Sequence, residues 1–317
     1  MDLRHARTFV TVADLGTVSK AALRLRVAQP ALSRQLIDLE NELGLRLFDR
    51  VGRRLLLTGE GEQLLSACRT LLNSANAVTE QAQALRHGDQ GVLRIAGSPQ
   101  HIESVLSHFL HRYAERYPKV EVKMSEGTGS DILRLLERGD IHLGQNLLHA
   151  VQLDQRHYGS LSLGSVELLA VCHPAMPLGP HRTIEVSHLA AFPLLLMDSG
   201  FGFRRAFDSA SQMAGLEPKI MFESRNPHTL LALAEARHGV AIVPSQLQCH
   251  RYKLRILSLT HRGRPLREPL TISWDKRRPL PQFATDYCRM LAAYMREVLP
   301  ITRPTKPPTS QVIADPL

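Results

Sequence analysis

The period at which apolar residues recur changes along this chain, and each change marks a new element. Over residues 28–44, Leu32, Leu36, Leu39 and Leu43 recur at four-three-four spacing, which predicts one helix with a buried stripe. Pro30 suits its first turn, where the missing N–H costs nothing, and Gly44 suits the left-handed stop just past its end. Two shorter helical patterns precede it, one carrying Phe9, Val10, Val12 and Ala13, the other residues 17–25, and Gly16 separates them. Downstream, residues 45–50 and 55–58 predict a short two-strand wing with the basic tip Gly52-Arg53-Arg54.

Next comes a sustained heptad. Leu64, Cys68, Leu71, Ala75, Val78, Ala82 and Leu85 alternate at four and three, no breaker intervenes, and Gly88 is a natural stop. Such a face must be covered, by the chain's own core or by another helix, and the small Cys68, Ala75 and Ala82 permit the close approach of a helix. The expectation is a helix-helix dimer contact along this row. From Gly91 the pattern becomes strand-helix alternation: strands at 92–96, 120–124, 166–172, 193–196, 220–223, 240–244 and 270–274 are interleaved with helical stretches. Short connections of this kind predict a mostly parallel sheet covered on both faces, in two α/β lobes joined by two crossovers.

The first three helical patterns and the wing bring a candidate chemistry. Gln29, Pro30, Ser33, Arg34 and Gln35 fall near the N-terminal end of the third helix, beside or opposite its leucine stripe, where side chains can reach base edges and phosphates. Arg50, Arg53 and Arg54 on the wing would approach phosphates or the minor groove. The net charge of +9 favours a polyanionic partner. A second basic region between Arg251 and Arg278 means that charge alone does not locate the surface. The motif does.

In open α/β sheets, ligands bind beyond the carboxyl ends of the strands, among helix N-termini that favour anions. Those positions are Ser98, Pro99 and Gln100, then Gly127, Thr128 and Gly129, in the first lobe. In the second they are Ser199, Phe201, Phe203 and Arg204, then Arg225 and His228. Their polar and cationic content, with two phenylalanines nearby, suggests a small carboxylate.

The run Ala21-Ala22, then Gln29-Pro30-Ala31-Leu32-Ser33, Leu39-Glu40, Glu42-Leu43-Gly44, Leu47-Phe48, Arg50 and Leu57-Thr58 resembles the N-terminal signature of the LysR-type transcriptional regulators. The family usually has a polar residue where Ala28 stands, and commonly an acidic one where His142 stands. The resemblance implies a fold class: an N-terminal all-α winged helix-turn-helix with a long linker helix, then an α/β two-lobed, periplasmic-binding-protein-like effector domain. The expected domains are the DNA-binding unit at 1–58, the linker and dimerisation helix at 59–89 and the effector domain at 90–300. Within the last, one lobe takes about 90–163 and 268–300, the other about 164–267. The tail 301–317 is proline-rich and reads as disordered.

The implied partners are double-stranded DNA, a second copy through the linker helix (often a tetramer in this family) and a small, anionic effector held by the strand-end segments. No cofactor or metal is expected. Cys68, Cys172, Cys249 and Cys288 lie far apart, without the nearby pair that the family's redox-sensing branch carries. Single, scattered histidines and the lack of any Gly-x-Ser-x-Gly, P-loop or His-Glu-x-x-His stretch argue against an enzyme. The N-terminus passes straight into an amphipathic helix, and no apolar run approaches a membrane span, so a cytoplasmic location is expected. A clamshell binding protein with a basic domain that holds DNA unspecifically is the alternative; it leaves the ordered signature of the first 58 residues unexplained.

Overall fold

The computed structural model describes residues 1–52, 54–87, 90–147 and 153–298. Arg53 and the tail 301–317 lie outside the described residues, as does the side chain of Leu85. The chain divides into two compact units, the first made of the residues up to Gly88 together with Glu137–Asp140, the second of those from Asp89 onward without these four.

The first unit opens with α1 (Leu3–Leu15), α2 (Val18–Leu25) and α3 (Gln29–Leu43), followed by β1 (Phe48–Val51), β2 (Arg54–Leu57) and α4 (Gly59–His87). Local chemistry sets the helix ends. The Asp2 carboxylate accepts from the N–H groups of Arg4 and His5, and Thr17 accepts from Lys20. Gly16 (φ 68°) and Gly44 (φ 63°) take the left-handed conformation that stops α1 and α3. Ala28 supplies no side-chain cap to α3, so Pro30 alone marks its start. Phe9, Val12, Leu32, Leu36, Leu39, Leu47 and Phe48 fill the core, with the Phe9 and Phe48 rings edge to face at 5.4 Å. The Glu40 carboxylate accepts from Leu47 N–H at 2.7 Å and Phe48 N–H at 3.2 Å, which ties the wing to the back of α3.

The heptad of α4 divides in two. Leu64 and Cys68, expected on a dimer face, instead pack into this small core together with Leu65 and Leu72. The reason is that α1 and the wing present more apolar surface than α2 and α3 can cover, and the first turns of α4 cover the rest. Leu71 and Val78 are exposed, as is Ala82, and Ala75 is half-buried.

In the second unit, β3 (Gln90–Gly97) leads into helix α5, which runs from Pro99 to Arg116 with a π-helical middle at Ile102–Leu106. Then come β4 (Lys119–Glu126), α6 (Gly129–Arg138) and β5 (Leu143–Leu147). β3 runs parallel to both β4 and β5, as expected. The expectation of a mostly parallel sheet fails at the next strand. β6 (Tyr158–Cys172) starts eight residues before the predicted 166 and runs antiparallel to its neighbours.

The second lobe continues with β7 (Thr183–Glu185), β8 (Leu194–Met197), α7 (Gly202–Met213), β9 (Ile220–Ser224), α8 (Pro227–Glu235), β10 (Val240–Pro244), β11 (Arg255–His261) and β12 (Arg264–Pro265). Finally β13 (Arg267–Asp275) returns to the first lobe, and α9 (Gln282–Val298) closes it. β6 and β13 pair over Tyr158–Glu167, and beyond that point β6 pairs with β10 and β11. These two strands are the crossovers. Gly164 (φ 115°) and a register shift at Leu270/Thr271 fall where they pass between lobes. One core, centred on Phe109, Tyr113 and Tyr287, lies under α5 and α9. The other lobe packs α7 on one face through Phe207 and α8 on the other through Leu230 and Leu231.

Candidate nucleic-acid interface and ligand cleft

On α3, the buried side belongs to Leu32, Leu36 and Leu39. Pro30 and Arg34 are exposed and Ser33 is half-buried, and Arg34 makes no ion pair or hydrogen bond among the described residues. Two expected readers are engaged within the unit: Thr8 donates to Gln35 Oε1 at 2.7 Å, and Ser19 donates to Gln29 Oε1 at 3.1 Å. Each amide keeps its N–H donors for an outside partner. Arg50 and Arg54 are exposed on the two strands of the wing.

In the second unit a cleft between the lobes is lined by Ser98, Gln100, Gly127, Thr128, Gly129, Phe201 and Phe203 from among the expected residues. Its free space, counted out to the open mouth, is about 480 Å³. Gly202, between the two phenylalanines, lines it too, as do five residues that the sequence did not nominate: His101, Ile132, Gln145, Gln246 and Leu270. Gln145 was the most visible of these, a polar side chain in the middle of the strand Leu143–Leu147.

The remaining expected residues do other work. Pro99 occupies the first turn of α5, with Ser98 capping His101 N–H. Ser199 is exposed in a turn. Arg204 is drawn away from the cleft: its Nε donates to Asp208 at 2.8 Å, and its Nη1 to the Met197 carbonyl at 2.9 Å and to Glu223. Arg225 is exposed, 3.8 Å from Asp198. His228 stacks on Tyr252 and pairs at 2.9 Å with Glu103 of the opposite lobe. Among the described residues the cationic lining expected from the sequence is therefore absent, because each arginine has an acidic neighbour in its own lobe.

What replaces charge is buried polarity. His101 is fully buried and desolvation pushes its pKa down to about 4, so the ring is neutral at physiological pH. Its Nδ1 lies 3.0 Å from Gln246 Nε2, a contact between the lobes. Where the family's acidic residue is expected, His142 Nδ1 accepts from Arg94 N–H at 3.0 Å, a link between β3 and the start of β5.

Other chemistries find no support. Among the described residues no group of three or more His, Cys, Asp or Glu is placed to hold a metal ion. Burial pushes the Cys172 and Cys249 thiols up to about 11 and Cys288 to about 12. A thiol held that high is a poor nucleophile at neutral pH. Among the described residues no helix is long and apolar enough to cross a membrane.

A helix-turn-helix with a wing, followed by a two-lobed α/β unit with a cleft at its waist, defines a class of ligand-responsive DNA-binding proteins. The chain belongs to the LysR family of transcriptional regulators: residues 3–62 match the bacterial regulatory helix-turn-helix model of the lysR family, and residues 86–296 match the LysR substrate-binding domain. It is a DNA-binding regulator with an effector-binding domain, and that family is not an enzyme family.

Similar proteins include BsdA of Bacillus subtilis (strain 168), 30% identical over 247 residues, spanning 77% of this chain and 84% of that protein. AlsR of the same organism is 30% identical over 272 residues, 83% of this chain and 85% of that protein. Among solved structures, a full-length OxyR variant from Pseudomonas aeruginosa has a TM-score of 0.74 at 21% identity, covering 98% of this chain and 99% of that one. Full-length CbnR in complex with its target DNA has a TM-score of 0.68 at 24% identity, covering 93% and 100%. At these identities the likeness is one of fold.

Proposed function

We propose that this chain reads a dyad-symmetric operator in the cytoplasm by placing the N-terminal half of α3 in the major groove. Arg34 and Ser33, with Gln29 and Gln35 beside them, would meet base edges or nearby phosphates, and Arg50, Arg53 and Arg54 of the wing would meet the backbone. The observation that carries this reading is the exposed Arg34, without an ion pair or hydrogen bond among the described residues, on a helix whose opposite face is locked into the core. The similarity to CbnR, solved with its target DNA, supports it.

The exposed remainder of the heptad, Leu71, Val78 and Ala82, supports pairing of two copies through the outer part of α4. Two recognition helices then address half-sites about 34–36 Å apart or a multiple of that distance. The cleft binds a small effector. Binding that favours one lobe arrangement shifts the population and with it the geometry of the paired DNA-binding units.

Selection of bound fragments from a bacterial genome by the purified full-length protein tests the reading. Enrichment of dyad half-sites supports it; unspecific fragments lost steeply with salt, with and without small-molecule extract, would sink it. In the same assay Arg34→Ala weakens operator binding about tenfold to a hundredfold without changing thermal stability. Unchanged affinity and salt slope would remove Arg34 from the interface.

A further inference from the structure

The choice among effectors rests on the proposal that the cleft is the effector site, and the chemistry of the cleft wall makes that choice. Among the described residues no charged side chain lines it. Gln100, Gln145 and His101 are 4%, 3% and 1% exposed. Gln100 Nε2, His101 Nε2 and both Nε2 and Oε1 of Gln145 are buried without a hydrogen-bond partner. The tautomer of His101 follows from its one partner. An amide nitrogen can only donate, so Gln246 Nε2, 3.0 Å away, donates to Nδ1, and the proton sits on Nε2. The residues of the wall therefore hold unpaired N–H donors on Gln100, His101 and Gln145, and an unpaired carbonyl acceptor on Gln145. Buried donors left unpaired are costly, so a fitting ligand is one that uses them all.

Each ligand class meets this wall differently. A cation faces donors and no carboxylate. A purely apolar molecule leaves all these atoms unpaired. A primary amide brings one acceptor oxygen to a surplus of donors. A carboxylate brings two oxygens with about four acceptor sites, enough for one N–H from each of Gln100, His101 and Gln145. It is helped by the start of α6 at Gly129, whose N–H borders the cleft, while the N–H groups of Gly127 and Thr128 are taken by the Gly97 carbonyl and by Asp131. The nearby Asp131 is already engaged by the N–H and hydroxyl of Thr128 and by Arg134. A second carboxylate on the same ligand would find no further donors and no cation.

We infer that the cleft takes a small monocarboxylate bearing a hydroxyl on the adjacent carbon and a short apolar body. The carboxylate accepts from Gln100, His101 and Gln145, the hydroxyl donates to Gln145 Oε1, and the body rests on Phe201, Phe203, Ile132 and Leu270. Gln145 is the specificity residue, because its amide presents a donor and an acceptor side by side to a group that offers the complement.

The test uses the full-length protein and titration calorimetry. Lactate, 2-hydroxyisocaproate and mandelate form the hydroxy-acid series; isocaproate and phenylacetate lack the hydroxyl; mandelamide, malate and benzylamine change the charge. At least one hydroxy acid is expected to bind at least tenfold tighter than its matched acid without the hydroxyl, with malate and benzylamine not binding. Gln145→Leu should erase that preference, and Gln145→Glu should reject the acids and gain mandelamide, whose N–H groups and hydroxyl the new carboxylate accepts. Gln100→Leu, with an expected loss of at least tenfold for every acid, serves if the Gln145 variants do not fold. Binding confined to malate, benzylamine or mandelamide and weakened by Gln145→Leu overturns the ligand class and leaves the cleft reading standing. Hydroxy-acid binding that neither Gln145→Leu nor Gln100→Leu alters overturns the cleft reading itself. No binding by any member of the series overturns the class.

Discussion

The two units place their polar chemistry in opposite environments. On α3 and the wing, Arg34, Arg50 and Arg54 stand in water on a scaffold fixed from behind by Leu32, Leu36 and Leu39. In the cleft, Gln100, His101 and Gln145 are almost wholly removed from water and carry no charge. A solvated guanidinium can meet a polyanion with little desolvation cost and broad tolerance of position, and its attraction reaches several ångströms through salt solution. A desolvated amide recognises only a partner of complementary hydrogen-bonding pattern, since a mismatch leaves buried groups unpaired. One unit is built for charge and register, the other for discrimination by hydrogen-bonding pattern.

The comparison breaks first if the units are not independently stable. Phe9 is fully buried and edge to face with Phe48 at the centre of the small core. Phe9→Ala should cost about 3–5 kcal/mol, more than a small unit can spare. Calorimetry is expected to show one transition lowered on the order of 20 °C or lost, with the transition of the second unit unmoved. A single transition that moves as a whole would show the two units to be one cooperative body.

That experiment bears on what could be read from the sequence. α3 was legible because its information is local: leucines at helical spacing, Pro30 inside the start and Gly44 past the end. The division of the α4 heptad was not. Leu64 and Cys68 fit a dimer row as well as Leu71 and Val78 do, and only the apolar surplus of α1 and the wing decides which of them stay inside. The crossover strand β6 was read short because residues 158–164 alternate weakly around Gly159 and Gly164. In the cleft, positions at helix N-termini were legible from the strand-end rule, as Ser98, Gly127, Thr128 and Phe201 attest. Gln145 and Gln246 lie on or just after strands of different lobes and meet the site only through the crossovers, a tertiary fact that spacing cannot carry. Arg204 and Arg225 misled because a cation near a strand end reads the same whether its partner is a ligand or Asp208, Glu223 and Asp198.

The environment of His101 sharpens the contrast through pH. Burial holds its pKa at about 4, below the ordinary 6.5 that it regains on unfolding. Between those values the unfolded chain binds a proton that the folded one refuses, so stability of the second unit falls as pH drops from about 6.5 toward 4. The full loss is on the order of 3 kcal/mol. Above pH 7 the ring is neutral in both states and contributes nothing to pH dependence. Urea titrations at about pH 7 and about pH 4.5 should show this loss in the wild type and a flatter profile in His101→Gln. Equal profiles would mean that the folded unit takes up the proton as readily as the unfolded chain, and the desolvated description of His101 would fall with it.

The smallest effect belongs to the surface unit. Ala28 precedes α3 without a side-chain bond to the free N–H groups of the first turn, whereas Asp2 and Thr17 cap α1 and α2. Ala28→Ser adds a hydroxyl able to accept from one of those N–H groups, with an expected gain of about 0.5–1 kcal/mol. In a unit of this size that is a rise of a few degrees in its own transition and none in the other. The effect on operator binding separates two roles of the helix end. If the helix start serves only to hold α3, the serine variant is more stable and binds equally well. If the free N–H groups at the start of α3 contact a phosphate, as helix N-termini can, the new hydroxyl competes for them. Stability then rises while operator affinity falls.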